Sequence, residues 1–63
     1  MSVTYLEEQG RFYVGQRGLF TLYDAFHRPY DSVEGEIVKL MEGYGALYAM
    51  LRTDSCVRPA RLA

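Results

Sequence analysis

The chain has 63 residues, of which 49% are hydrophobic and 24% are charged, and its net charge at pH 7 is −1. This composition is typical of one small globular domain, residues 1–63, and argues against a disordered tail. The charge balance argues against a dedicated nucleic-acid binder, because phosphate contacts require a strong basic excess. With a single cysteine and no zinc-ligand set, so short a chain depends on tight packing or self-association for stability.

The first half of the chain contains three short β-branched or aromatic runs. We predict strands at residues 3–6, 11–14 and 19–23. The Gly-Gln-Arg-Gly sequence at residues 15–18 predicts a turn. Residues 24–31 are predicted as a loop, because the proline within them disfavours regular structure before it.

Residues 32–52 are compatible with two interpretations. Apolar residues recur there at helical spacing, which predicts an amphipathic dimerisation helix and an α+β fold. Gly35, Gly43 and Gly45 oppose a helix, because a glycine inside a helix costs about 1 kcal/mol relative to alanine. The alternative is a pair of strands at residues 35–41 and 46–53 that flank a glycine-rich hairpin turn. In the second strand, Leu47, Ala49 and Leu51 then share one face, and the other face carries Tyr48, Met50 and Arg52. We favour the strands, because they place every glycine at an element boundary.

The end of the chain is predicted to be irregular. Asp54-Ser55 indicates a turn, and residues 56–58 indicate a short extended segment. Residues 59–62 are predicted to form a single helical turn that brings Leu62 into the core.

The order of glycines and apolar residues over residues 12–62 resembles small SH3-like barrel domains. The resemblance is carried by Val14-Gly15-Gln16, Gly35-Glu36-Ile37-Val38-Lys39-Leu40, Gly45-Ala46-Leu47-Tyr48-Ala49-Met50-Leu51 and Val57-Arg58-Pro59-Ala60-Arg61-Leu62. It implies an all-β fold, a barrel of about five short strands. Closing such a sheet protects the edges of a very small β protein.

One stretch is similar to a specific enzyme family of this shape. Gly35-Glu36-Ile37-Val38 resembles the Gly-Gln-Ile-Val stretch of plasmid-type dihydrofolate reductases, short SH3-like chains that form tetramers around an active-site pore. Their pore-lining Val-Gln-Ile-Tyr motif would fall at residues 55–58, where this chain has Ser-Cys-Val-Arg. The resemblance therefore implies the shape without the activity.

Catalytic and metal-binding patterns are weak in this sequence. His27 is the only histidine, and its spacing from Asp24 and Cys56 does not require the three to meet as a triad would. The carboxylates between residues 31 and 36 lack the glycine and the ligand number of a calcium loop. We therefore predict no catalytic residue, no metal site, no cofactor and no enzymatic activity.

The aromatic content points to binding. Six tyrosines and three phenylalanines are more rings than so small a core can hide, and tyrosine is enriched at protein interfaces. We expect a non-enzymatic binding module, such as an adaptor, inhibitor or regulator, that contacts another protein or a second copy through a tyrosine-rich surface. The predicted contacts are Tyr13, Tyr23, Phe26, Tyr30, Tyr44 and Tyr48, with Arg28 as an anchor for a carboxylate.

The alternative is a nucleic-acid-binding accessory protein with a basic-aromatic patch. Residues 1–36 hold six acids against three arginines, whereas residues 37–63 hold four basic residues against two acids. The predicted cationic contacts are Arg11, Arg17, Arg52, Arg58 and Arg61. No signal peptide or membrane-spanning run is evident, so we expect a cytoplasmic location without membrane contact.

Overall fold

The computed structural model describes residues 3–63, and every regular element in this part of the chain is a strand. The strands are β1 (Thr4–Leu6), β2 (Glu8–Gln9), β3 (Phe12–Tyr13), β4 (Arg17–Tyr23), β5 (Pro29–Gly43), β6 (Ala46–Arg52) and β7 (Val57–Arg61). The prediction of an all-β fold is confirmed. No helix in residues 3–63 is long and apolar enough to cross a membrane.

Four consecutive strands build most of the main sheet. β4, β5, β6 and β7 form an antiparallel meander in which each strand pairs with the next along the chain. β1 joins the same sheet by pairing with the end of β5, with Leu6 opposite Leu40. β2 and β3 form a separate two-stranded hairpin, whose Phe12 ring lies 6.3 Å from that of Phe20.

The long strand β5 is strongly bent. A straight strand of its 15 residues would extend about 50 Å, but the longest dimension of the molecule is 32 Å. Its first arm pairs with β4, and its second arm pairs with β1 and β6. The register with β6 shifts between Ile37 and Lys39, as expected for a β-bulge that bends the strand. The bend curls the sheet around one core.

The core lies on the concave face of the sheet. Alternation along β6 buries Leu47, Ala49 and Leu51 on this face and leaves Tyr48 and Met50 on the other, as the strand interpretation predicts. The remaining buried members of the same cluster are Phe20, Leu22, Ile37, Leu40, Ala60 and Leu62. Leu6, Phe12 and Val33 pack against them while half-buried.

Two tight loops reverse the chain at the ends of β5. Tyr44 and Gly45 form the turn between β5 and β6 with φ values of 54° and 74°, which is the left-handed geometry of a type I′ hairpin. His27, in the loop between β4 and β5, also has a positive φ of 60°. In that loop the Asp24 carboxylate accepts hydrogen bonds from the amides of Phe26 and Arg28.

The alternative helix and two predictions of local structure are wrong. The helix over residues 32–52 does not form, because those residues alternate between core and solvent within β5 and β6. The predicted loop at residues 24–31 is shorter, since β5 begins at Pro29, where a proline is tolerated as the first residue of a strand. The terminal helical turn at residues 59–62 is replaced by β7, which pairs with β6 and places Ala60 and Leu62 in the core.

The main sheet is not closed. Its pairing runs from β4 through β5 and β6 to β7, and β4 does not pair with β7. A cavity of about 360 Å³ lies beside β4 and is lined by residues that include Leu19 and Thr21 of β4, Phe12 of β3, and Leu62, which follows β7. The sheet therefore curves like a barrel but stays open, and β1, β4 and β7 each pair with only one neighbour.

Candidate functional site

The outer face of the main sheet carries the most unusual side chains of the protein. On an antiparallel sheet with one solvated face, outward residues are normally polar. Here one row runs across four paired strands: Tyr5 opposite Met41, Met41 opposite Tyr48, and Tyr48 opposite Arg61. Apolar and aromatic side chains therefore occupy positions on the side of the sheet that does not face the core.

Two further rows continue this surface. Lys39 lies opposite Met50, which lies opposite Pro59. The third row starts on β4 and contains Arg17, Glu36, Arg52 and Val57. We call these three rows the outer face: Tyr5, Met41, Tyr48, Arg61, Lys39, Met50, Pro59, Arg17, Glu36, Arg52 and Val57.

Each tyrosine of the outer face has a cation beside its ring. The Lys39 ammonium lies 5.8 Å from the centroid of the Tyr5 ring, and the Arg61 guanidinium lies 5.9 Å from that of Tyr48. Both distances are within the range of a cation–π attraction. The rings and the cations therefore form one continuous surface, positively charged and apolar at once.

Arg61 has an unsatisfied hydrogen-bond donor. Its Nε is buried and has no hydrogen-bond partner within residues 3–63. A buried donor without a partner costs free energy, and few persist in folded proteins without a reason. An arginine held on an aromatic ring with a donor to spare is suited to a carboxylate or phosphate supplied from outside.

Charge is segregated on the molecule. The outer face holds four cations, Arg17, Lys39, Arg52 and Arg61, and the single carboxylate of Glu36, so its net charge is +3. Because the whole chain carries −1, the rest of the protein carries −4. Glu36 pairs with Arg17 Nε at 3.5 Å and with Arg52 Nη2 at 3.2 Å, which leaves Lys39 and Arg61 as the outer-face cations that pair with no carboxylate in residues 3–63.

The predicted partner-binding residues are distributed over several places. Tyr48 lies on the outer face, and Tyr44 forms the tip of the β5–β6 hairpin with its ring exposed. Tyr13 lies on β3. Four others surround the loop between β4 and β5: Tyr23, Phe26, Arg28 and Tyr30. The Arg28 guanidinium lies 5.9 Å from the Phe26 ring, so the loop has its own small exposed aromatic-cation pair.

Of the predicted nucleic-acid contacts, three come together. Arg17, Arg52 and Arg61 all belong to the outer face. Arg58 lies opposite the buried Leu51, so its side chain starts from the core side of β7. Arg11 lies in the β2–β3 turn, 5.3 Å from the Phe12 ring.

Sequence reasoning missed Tyr5, Lys39, Met41 and Met50 as members of one surface. The period-two pattern of β6 did place Tyr48, Met50 and Arg52 on a common face. The pairing of β1 with the end of β5 joins residues that are far apart in the chain, and no local pattern predicts it. The residues that the sequence analysis did not group are brought onto one surface by the sheet topology.

A wide groove lies at the hairpin tips, away from the outer face. Its volume is about 1070 Å³, and it is lined by residues that precede β5, such as Tyr23 and His27, and by Gly43 and Gly45 around the end of β5. Cys56 is exposed and lies 3.6 Å from the Thr53 hydroxyl. In residues 3–63 there is no group of three or more His, Cys, Asp or Glu side chains placed to hold a metal ion.

Comparison with known proteins gives no relative: no family model, curated protein or solved structure matches the chain.

Proposed function

We propose that this protein is a non-enzymatic binding module whose outer face takes up an acidic segment of another protein. The observation that carries the proposal is the row Tyr5–Met41–Tyr48–Arg61 across four strands on the solvated side of the sheet. Tyrosine, methionine and arginine are the residues enriched at protein interfaces. A surface of +3 favours a partner with carboxylates.

Arg61 is the proposed anchor of this interface. A carboxylate from the partner would provide an acceptor for the guanidinium and shift it from its place beside Tyr48, so that the unpartnered Nε is also satisfied. Met41 and Met50 flank the anchor on β5 and β6. Their flexible thioether side chains adapt to the shape of the apolar residues that accompany the carboxylate.

A protein partner is favoured over a nucleic acid by what surrounds the rings. Bases stack on open ring faces, whereas Tyr5 and Tyr48 each have a cation beside the ring. The middle of the surface is formed by Met41, Met50 and Pro59, which are suited to aliphatic side chains and do not bind phosphates. Nucleic-acid binding through Arg17, Arg52 and Arg61 remains the second candidate.

The test is a selection from a random peptide library on the immobilised protein, followed by titration of the enriched peptides. We expect acidic peptides with aliphatic or aromatic residues. Arg61→Gln should weaken their binding about tenfold or more, the loss of one charge-assisted hydrogen bond. Arg28→Gln is the matched control, because it removes the same charge from an exposed loop outside the outer face.

Tyrosine variants separate the outer face from the loop residues predicted from sequence. Tyr48→Ser should reduce peptide binding strongly, and Tyr30→Ser should leave it unchanged. Enrichment without an acidic preference, or equal losses from Arg61→Gln and Arg28→Gln, would contradict the proposal. Tighter binding of a fluorescein-labelled oligothymidylate, weakened by salt and by Arg61→Gln, would instead establish nucleic-acid binding.

The family resemblance and the cellular location are part of the proposal as well. The curved five-stranded sheet is compatible with a small SH3-like binding domain, whose closed barrel stays a prediction. A cytoplasmic location likewise stays a prediction. Both are independent of the assignment of the outer face.

A further inference from the structure

We infer that two copies of this chain associate by antiparallel pairing of β4 with β4, which extends the main sheet across a two-fold axis. The inference is independent of the proposed function, since it rests on the main-chain groups of β4, and Arg17 is the single outer-face residue that it involves. It gives a specific interface to the self-association that the composition suggests.

Main-chain hydrogen bonds at both ends of β4 determine which of its amides are free. Ile37 N donates to Gln16 O at one end, and Asp24 N donates to Arg28 O at the other. Main-chain groups alternate in direction along a strand, so the even-numbered residues between these points bond to β5. The amides and carbonyls of the odd-numbered residues, Arg17, Leu19, Thr21 and Tyr23, therefore point to the free edge.

The opposite edge of the sheet is protected against pairing. Leu62 N donates to Leu47 O, so the same alternation turns the main-chain groups of Arg58 and Ala60 toward β6. The nitrogen of Pro59 therefore lies at the free edge of β7. A proline has no N–H to offer to an added strand and is a common means of blocking an edge. β4 contains no proline, and its only charged residue is Arg17 at its start.

The side chains beside the free edge of β4 are exposed to solvent. Leu19 is 72% exposed, and Thr21 is exposed beside it. An exposed edge strand of seven residues without proline is the feature that natural proteins usually cover or interrupt. Coverage by a second copy removes the exposed edge on both chains at once.

The edge is self-complementary in one register. When Leu19 of one copy lies opposite Thr21 of the other, Arg17 lies opposite Tyr23, and all four free-edge residues of each chain form hydrogen-bonded pairs. The Arg17 side chain is 82% exposed and held only at 3.5 Å by Glu36, so it is free to contact the partner's Tyr23 ring. An isologous pairing of this kind closes as a dimer.

The test is the solution mass of the protein by sedimentation equilibrium over a range of concentrations. We expect a species of twice the 7.2 kDa chain mass that increases with concentration. Thr21→Pro removes a free-edge donor and should give a monomer, whereas Thr21→Val keeps the donor and should still dimerise. A circular dichroism spectrum and a thermal transition would establish that both variants are folded.

A second variant covers the case in which Thr21→Pro does not fold. A synthetic chain with an N-methylated Leu19 amide blocks another free-edge donor while it keeps the leucine side chain, and it should also be monomeric. A single 7.2 kDa species of the unmodified chain up to about 1 mM would overturn the inference, because an edge that pairs measurably has a dissociation constant below this. A dimer that survives both modifications would overturn it as well.

Discussion

Gly35 lies directly against the main chain of Arg52: a Cβ at Gly35 would lie 2.6 Å from the Arg52 carbonyl oxygen and 3.3 Å from its carbonyl carbon. The contact occurs where β5 bends and its pairing with β6 begins, since the next residue, Glu36, is opposite Arg52. The same approach lets Arg52 reach the Glu36 carboxylate at 3.2 Å. The bend and the third row of the outer face therefore depend on the absence of a side chain at Gly35.

Gly35→Ala should destabilise the protein by about 1–3 kcal/mol, because the methyl group meets backbone atoms that cannot rotate away. The measurement is the urea midpoint of unfolding. Gly43→Ala is the matched control: its methyl group would meet Cγ1 of Val3 at 2.8 Å, a side-chain atom that can move. Equal losses in the two variants would show that the Arg52 main chain yields as easily as the Val3 side chain.

Tyr44→Asn should stabilise the protein by about 1 kcal/mol. Tyr44 adopts a φ of 54° at the first position of a type I′ turn, where an L-residue is strained and asparagine before glycine is favoured. Chemical denaturation measures the gain. Tyr30→Asn, in β5, should instead be neutral or destabilising, since asparagine is disfavoured in strands. A stabilised Tyr44→Asn protein also tests the predicted partner role of the Tyr44 ring without a loss of folding.

Glu36→Gln should cost less than about 1 kcal/mol, although it removes two ion pairs. Both arginines are largely solvent-exposed, and exposed pairs contribute little. The effect should shrink further in concentrated salt, which screens exposed charges. Arg52→Gln should cost more than Arg17→Gln, because Arg52 also donates a hydrogen bond to Glu36 at 3.2 Å. A loss that does not depend on salt would indicate a packing role for Glu36.

Leu51→Ala should leave most of the chain unfolded at room temperature. Leu51 is fully buried, and truncation of such a leucine costs about 2–5 kcal/mol. A single core of this size supplies only about 3–5 kcal/mol in total. Leu19→Ala removes the same atoms from an exposed position and should shift the thermal midpoint only slightly. A well-folded Leu51→Ala protein would mean that the domain is far more stable than its size suggests.

Local patterns predicted the parts of this fold that neighbouring residues determine. The alternation along β6 correctly grouped Leu47, Ala49 and Leu51 on one face, which is the core face, and the glycines around Tyr44 correctly located the hairpin turn. Pro59 was misinterpreted as part of a helical turn, because the sequence alone does not reveal that β6 offers an edge at which a proline fits.

The candidate site was harder to predict from the sequence, because strand pairing and not local pattern brings its residues together. The tyrosines were recognised as too numerous for the core, but which of them share a surface depends on pairings between distant strands. Tyr5 joins Met41 only through the register of β1 on β5. Phe26 and Tyr30, which resemble interface residues by composition, lie in or beside the loop at the other end of β5.

The attachment of β1 has a consequence for the order in which the protein assembles and opens. β4 to β7 pair with their sequence neighbours, whereas the three residues of β1 must find β5 across most of the chain, a slower and entropically costlier closure. We therefore expect β1 to dock late in folding and to detach by local opening while the core stays intact. Because Tyr5 would move with it, the row Tyr5–Met41–Tyr48–Arg61 is expected to exchange between a four-strand and a three-strand form, and a partner that contacts Tyr5 would favour the four-strand form.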